Sequence, residues 1–505
     1  MAKPLPRHLK EMQEEIEGFA RKFGLDFFET VFEVLTYREM NMIASYGGYP
    51  VRFPHWKFGM EYFKMSRSYT YGLHRIYEMV INNDPCYAYL LESNTDIDQK
   101  LVMAHVYAHC DFFKNNLWFE PTDRKMMNTM ANHGVRIRKY MDENGVNKVE
   151  TFVDTCLSIE DLVDPYAPYI KSKIKKEEEG EEDIVQFQIA GGREYMDSFI
   201  NPEEFIRRQR EKLKEKKEMQ KKRFPPARER DVLLFLIHNA PVESWQKDIL
   251  DIVREESHYF IPQGMTKILN EGWATYWHSE IMTKGALKPE EMIDYADHYS
   301  AGLRVSPGRI NPYKLGVELL RDIEFRWNTG RFGKEYEECD DYDLKRNWDR
   351  KLNKGREKIF YVRKAYNDIT FIDEFLTEEF VKKQKMFAYA FNPSRRRWEI
   401  TSREFGEIKR QLIANLTNFG RPIIYVDDAN YKNRGELVLY HEYTGINLDR
   451  NYAHLTLENI FRIWQRPVHI LTKYDEKEVI LSYDGIQHSE GVFKKEPPQK
   501  EEKKK

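Results

Sequence analysis

Cysteine is scarce in this chain: four residues in 505, Cys86, Cys110, Cys156 and Cys339, far apart and without a CxxC pair. That excludes a disulfide framework and a cysteine-based zinc site, and it fits reduced thiols in a cytosol. Long apolar runs are missing as well. Stretches such as Leu233–Ile237 fall far short of the roughly 20 residues needed to span a bilayer, so no membrane span is expected. The first residues enter a charged amphipathic helix without the apolar stretch of a secretory signal, which predicts a cytoplasmic protein. Neither sign of charge prevails: 80 Lys+Arg stand against 83 Asp+Glu, a net charge of −3, so there is no global pull toward nucleic acid or anionic lipid. Neither a phosphate-binding glycine fingerprint nor a GxSxG elbow occurs, which removes nucleotide binding and serine-hydrolase chemistry of those types. No fixed-period repeat is found.

What is present is globular texture. A hydrophobic fraction of 41% and an aromatic fraction of 14% support packed cores, and at ~100–200 residues per domain the chain holds two to four units. Apolar residues recur at three- and four-residue spacing over 9–35, 85–118, 124–143, 231–260 and 265–283, so the region 1–355 is predicted mainly helical. Between these patterns an aromatic loop, Tyr46–Pro50 through Trp56, needs burial for its rings. A charged surface insertion is expected near 171–230: residues 171–187 are too polar to order themselves. Asn201 and Pro202 then start a helix reaching about Arg223, whose ten Lys/Arg and five Glu read as a solvated spacer. After Gly355 short β-branched runs appear at 358–362, 422–426, 436–441, 468–472 and 478–483, alternating with helical patterns at 402–418 and 455–465. The oxygen-rich stretch Asp427–Gly435 reads as a hairpin turn. The fold class is therefore α+β, with a smaller C-terminal α+β domain at 356–493 and a disordered tail at 494–505.

The chemistry-bearing segment is His105-Val106-Tyr107-Ala108-His109. Histidines four apart on a helix project from one face and can present two imidazoles to one metal ion. Taken alone, this spacing is more often structural. A second segment, Asn270-Glu271-Gly272-Trp273-Ala274, sets a carboxylate in an apolar aromatic helix, where an uncompensated charge is costly to bury. Together the two resemble the gluzincin metallopeptidases, in which an HExxH helix gives two zinc ligands and a later NExxA or NEGxA helix gives a carboxylate. The resemblance implies a zincin-like N-terminal region with Zn²⁺ on His105, His109 and Glu271. Val106 stands where those enzymes carry their general base. Glu255 and His258, just upstream of Glu271, are the candidates to replace it as catalytic groups. His278 follows Glu271 at seven residues, close to two helical turns, and is expected to orient a ligand from behind, as is Asp111.

Over most of its length the chain is similar to the stage V sporulation protein R (SpoVR-like) family. The stretches that carry the likeness are YGGYPVRFPHWKFGMEY (46–62), AHVYAHCDFFKNN (104–116), FLIHNAP (235–241), the run from Trp245 to His278, GRINPYKLG (308–316) and DDANYKNRGELVLYHEYTGINLD (427–449). The resemblance implies a bacterial cytoplasmic protein linked to sporulation and formation of the peptidoglycan cortex of spores, or to stress response. It also implies company with a PrkA-like serine kinase and a von Willebrand A-like protein. Two readings of activity follow. One is a metal-dependent hydrolase acting on a peptide or a peptidoglycan precursor; the other is a non-catalytic adaptor or regulator on a degenerate metallopeptidase fold.

Overall fold

The computed structural model describes residues 5–70, 78–170 and 224–492. The stretch 171–187, the helix expected over 201–223 and the tail expected at 494–505 lie outside the described residues. The chain forms two compact units: Met1–Glu150 with His258–Arg421, and Thr151–Ser257 with Pro422–Lys505. Among the described residues no helix is long and apolar enough to cross a membrane.

In the first unit the expected helix over 9–35 is two elements. A helix runs Arg7–Lys22, and Gly24, at φ +93°, turns the chain into the left-handed region where a helix stops. The β-branched Thr30, Val31 and Val34 then form strand β1 (Thr30–Leu35). With β2 (Met79–Ile81) and β3 (Cys86–Leu91) it makes a small sheet in the order β1-β3-β2, β1 parallel and β2 antiparallel to β3. The apolar pattern at 85–118 thus opens with a strand before its helix. That helix, Asp96–Asn115, is started by a capping box in which Thr95 and Asp98 satisfy each other's backbone amides. Every residue from Asp98 to Phe113 is buried, as expected of a central helix that is apolar nearly all round.

The helix Lys267–Ile281 packs against it. Its first free amides, those of Ile268 and Leu269, donate to the buried Asp368 carboxylate at 2.8 Å each, so a distant acid serves as the cap its own sequence lacks. It then crosses the helix Pro312–Thr329 where Gly272 meets Gly316: a Cβ on Gly272 would lie 2.4 Å from the Gly316 backbone.

The run 358–362, expected as a strand, lies in the helix Gly355–Ala365. Ile359 and Val362 are buried three residues apart while Glu357, Tyr361 and Lys364 face solvent; helical burial on Trp273 and Trp277, through Phe360, overrides β propensity. The helix Gly355–Ala365 and the residues up to Arg421 belong to the first unit. That unit continues through the hairpin β4 (Ala388–Asn392) and β5 (Arg397–Ser402) and the helix Phe405–Leu416. In the aromatic loop Tyr49 and Phe53 are buried, whereas Trp56 is exposed.

The second unit carries a five-stranded sheet, β6 (Ile424–Tyr431), β7 (Glu436–His441), β8 (Val468–Tyr474), β9 (Lys477–Tyr483) and β10 (His488–Val492), in the order β10-β9-β8-β7-β6. Only β7 and β8 pair in parallel, and the helix Arg450–Trp464 supplies the crossover such a pair requires. The turn expected within Asp427–Gly435 closes the β6–β7 hairpin, with Gly435 at φ +69°. Helices with a few small sheets make the chain α+β.

Candidate metal centre

His105 and His109 stand one turn apart on the buried Asp96–Asn115 helix, their ring centroids 4.5 Å apart. The helix Lys267–Ile281 packs against this one, and Glu271 on it reaches both rings: its Oε2 lies 3.4 Å from His105 Nε2 and 3.5 Å from His109 Nε2. One ligand atom from each of the three falls within 4.8 Å of the others, and all three residues are buried, so the group could hold a metal ion. At bond lengths of about 2.0–2.2 Å, tetrahedral ligand atoms stand about 3.3–3.6 Å apart. The two His–Glu separations match that spacing.

The far side of each imidazole is also engaged. His109 Nδ1 donates to Asn270 Oδ1 at 2.9 Å, which leaves the Nε2 lone pair for the centre. His105 Nδ1 lies 2.9 Å from His278 Nδ1. Burial, reinforced by the neighbouring His105, pushes the pKa of His278 well below the ordinary histidine value. It is therefore neutral, and with its proton on Nε2 its Nδ1 accepts from His105 Nδ1–H. That Nε2 has no hydrogen-bond partner among the described residues, and the His278 ring meets the Tyr295 and Tyr299 rings edge-on.

Electrostatics favours a charged carboxylate. Burial works to raise the pKa of Glu271, but the adjoining His105 and His109 rings, with Lys267, outweigh it and hold the group well below the usual range. Lys267 Nζ adds an ion pair to Oε1 at 2.6 Å from its more exposed position one turn away. For His105, burial acts to lower the pKa and is overcome by Glu78 and Glu271, which raise it.

Glu78, missed by sequence reasoning, enters just before β2. Its Oε2 is 3.1 Å from His105 Nε2, and its side chain keeps 21% exposure. Tyr313, three residues before Gly316, lies beside Glu271 and Glu78; burial and these two carboxylates push its phenol above the ordinary value. Neither residue carries a local signal, since a lone Glu and a lone Tyr acquire meaning only from what the fold brings near. Asn270 had one: it directly precedes Glu271 in the motif.

The remaining expected residues fall as follows. His278 touches His105, as described. Asp111 is fully buried and accepts from Trp273 Nε1 at 2.9 Å and from the Asp26 amide at 2.8 Å, with Arg363 3.5 Å away. It therefore acts on the glutamate helix through Trp273 rather than on a ligand histidine. Glu255 is exposed on the helix Ser244–Met265 and belongs to the second unit, while the half-buried His258 begins the first unit's continuation. The structure brings His105, His109, Glu271 and His278 together with Glu78.

Residues 5–421 match the family model described as SpoVR like protein. The chain belongs to the SpoVR family. A protein of Escherichia coli (strain K12), named Uncharacterized protein YcgB, is 30% identical over 479 residues, 89% of either chain. No solved structure matches. The SpoVR match ends at Arg421, where the first unit also ends, and it contains every residue of the centre.

Proposed function

We propose that the first unit of this SpoVR protein is a zincin-like, zinc-dependent hydrolase acting on an amide bond, with a peptide or a peptidoglycan precursor as substrate class. The observation that carries the reading is the buried His105–His109–Glu271 group, with both histidines supported on their far nitrogens. Two imidazoles, each neutral once it ligates, and one carboxylate suit Zn²⁺, and three protein ligands leave a position open. When bound, such an ion supplies Lewis-acid polarisation of a carbonyl. The residues themselves set the rest: Asn270 and His278 fix the imidazole tautomers, Lys267 holds the outer oxygen of Glu271, and Tyr313 offers a phenol at the same carboxylate.

The buried Val106 has no proton-accepting group. Glu78, in contact with His105, is the first candidate for that role, ahead of Glu255 and His258, the two proposed from sequence. A second reading rests on the same Val106: a regulator that keeps the metal for structure and turns nothing over. The family name supports a role in sporulation, and the resemblance supports cortex formation or stress response in the cytoplasm beside a PrkA-like serine kinase and a von Willebrand A-like protein.

The test is metal analysis of protein purified without chelator, with His109→Ala and Glu271→Ala alongside. One zinc per chain, lost in both variants, supports the centre. A metal-free, fully folded wild type removes it. Zinc retained without hydrolysis of any muropeptide in wild type and Glu78→Gln alike favours the regulator.

A further inference from the structure

The GRINPYKLG stretch serves more than the metal centre. While Tyr313 faces Glu271, its neighbours line a separate cavity of about 270 Å³ in the first unit, near the lower end of the ~300–1,000 Å³ usual for small-molecule pockets. Its floor is apolar and buried: Leu315, Phe380, Ile408 and Leu412. Aromatic rings form the walls, namely Phe387, Tyr389 and Trp398. Trp398 lies flat against Gly308, which sits at φ +73° with no room for a Cβ, since one would fall 2.2 Å from the indole. Trp398 as a whole still keeps 43% exposure.

Charge makes the cavity selective. Arg309, Lys314 and Lys385 line it, and none forms an ion pair among the described residues. The one acid in the lining, Glu318, is engaged by Arg321 at 3.3 Å and by Gln384 Nε2 at 3.0 Å. An apolar, aromatic pocket with an uncompensated cationic rim favours a ligand with a small apolar body and an anionic head. We propose that this cavity binds a small carboxylate whose body is one aromatic ring or a short acyl chain, with the carboxylate on Arg309 and Lys314 and the body between Trp398 and Leu412. The proposal is independent of the metal reading.

Titration calorimetry of the full chain with 4-phenylbutyrate, and with uncharged 4-phenylbutanol, tests it. The acid is expected to bind about tenfold or more tightly than the alcohol, because hydrogen bonds to charged groups are the stronger ones. Arg309→Gln with Lys314→Gln should abolish that preference, and Trp398→Ala should weaken both ligands. Circular dichroism and thermal melts verify that the variants fold; if the double variant does not, Arg309→Gln alone takes its place. Binding of the acid must persist in EDTA, which separates this pocket from the metal centre. Equal affinity for acid and alcohol, no binding of the acid up to about millimolar concentration, unchanged affinity in the folded charge variant, or loss of binding in EDTA would each overturn the assignment.

Discussion

Gly272 and Gly316 touch backbone to backbone: a Cβ on Gly316 would lie 2.2 Å from Ile268 O and 2.6 Å from the Gly272 Cα. This contact lets the glutamate helix and the Pro312–Thr329 helix cross closely enough for Tyr313 to stand beside Glu271. Gly316→Ala must push the helices apart. A loss of about 1–3 kcal/mol or more in urea unfolding is expected, as for overpacked cores, and unchanged stability would show that the crossing has slack.

Asn270 holds His109 by its outer nitrogen. Asn270→Ala should weaken metal binding about 10–100-fold, the usual cost of removing such a support, while leaving the ligands in place. Competition with a chromogenic chelator measures this directly; an affinity equal to wild type would leave the tautomer of His109 to other forces.

Asp111 is enclosed with Arg363, Trp273 and the Asp26 amide. Asp111→Ala strands the buried Arg363 and should cost about 3–5 kcal/mol, as for a broken buried ion pair. Asp111→Asn keeps an acceptor for Trp273 Nε1 and should cost less. Equal losses for Ala and Asn in urea unfolding would argue that charge alone matters there.

Burial raises the pKa of Asp368 from 3.8 to about 7, against the opposing pull of the Ile268 and Leu269 amides. A carboxyl whose folded pKa exceeds its unfolded one contributes stability that is fully present below pH 3.8 and is lost as pH rises through about 7. In Asp368→Asn that contribution to the decline vanishes. Urea midpoints measured from pH 4 to 8 should fall less steeply in the variant than in wild type; parallel curves would show that Asp368 is ionised throughout.

Much of this was legible beforehand. Strands β6 to β9, the turn at Gly435 and the helices bearing His105, His109 and Glu271 followed from periodicity and turn chemistry. The Lys358–Val362 run misled because β-branched and aromatic residues favour a strand locally, while two buried tryptophans drew them into a helix. Gly24 marked the end of the first helix, yet the continuing apolar rhythm to Leu35 concealed it. Glu78 carried no sign at all.

The amino-acid order alone determined that two imidazoles share one helical face and that an acid sits within an apolar helix, since both are consequences of spacing along a single element. Only the tertiary structure decided that these groups meet across 166 residues of chain, that Asn270 and His278 support the rings from behind, and that Glu78 supplies a nearby carboxylate. Helical periodicity fixes directions about one axis. The meeting of the histidine helix and the glutamate helix depends on the side chains packed between two separate elements, which the spacing within either one does not encode.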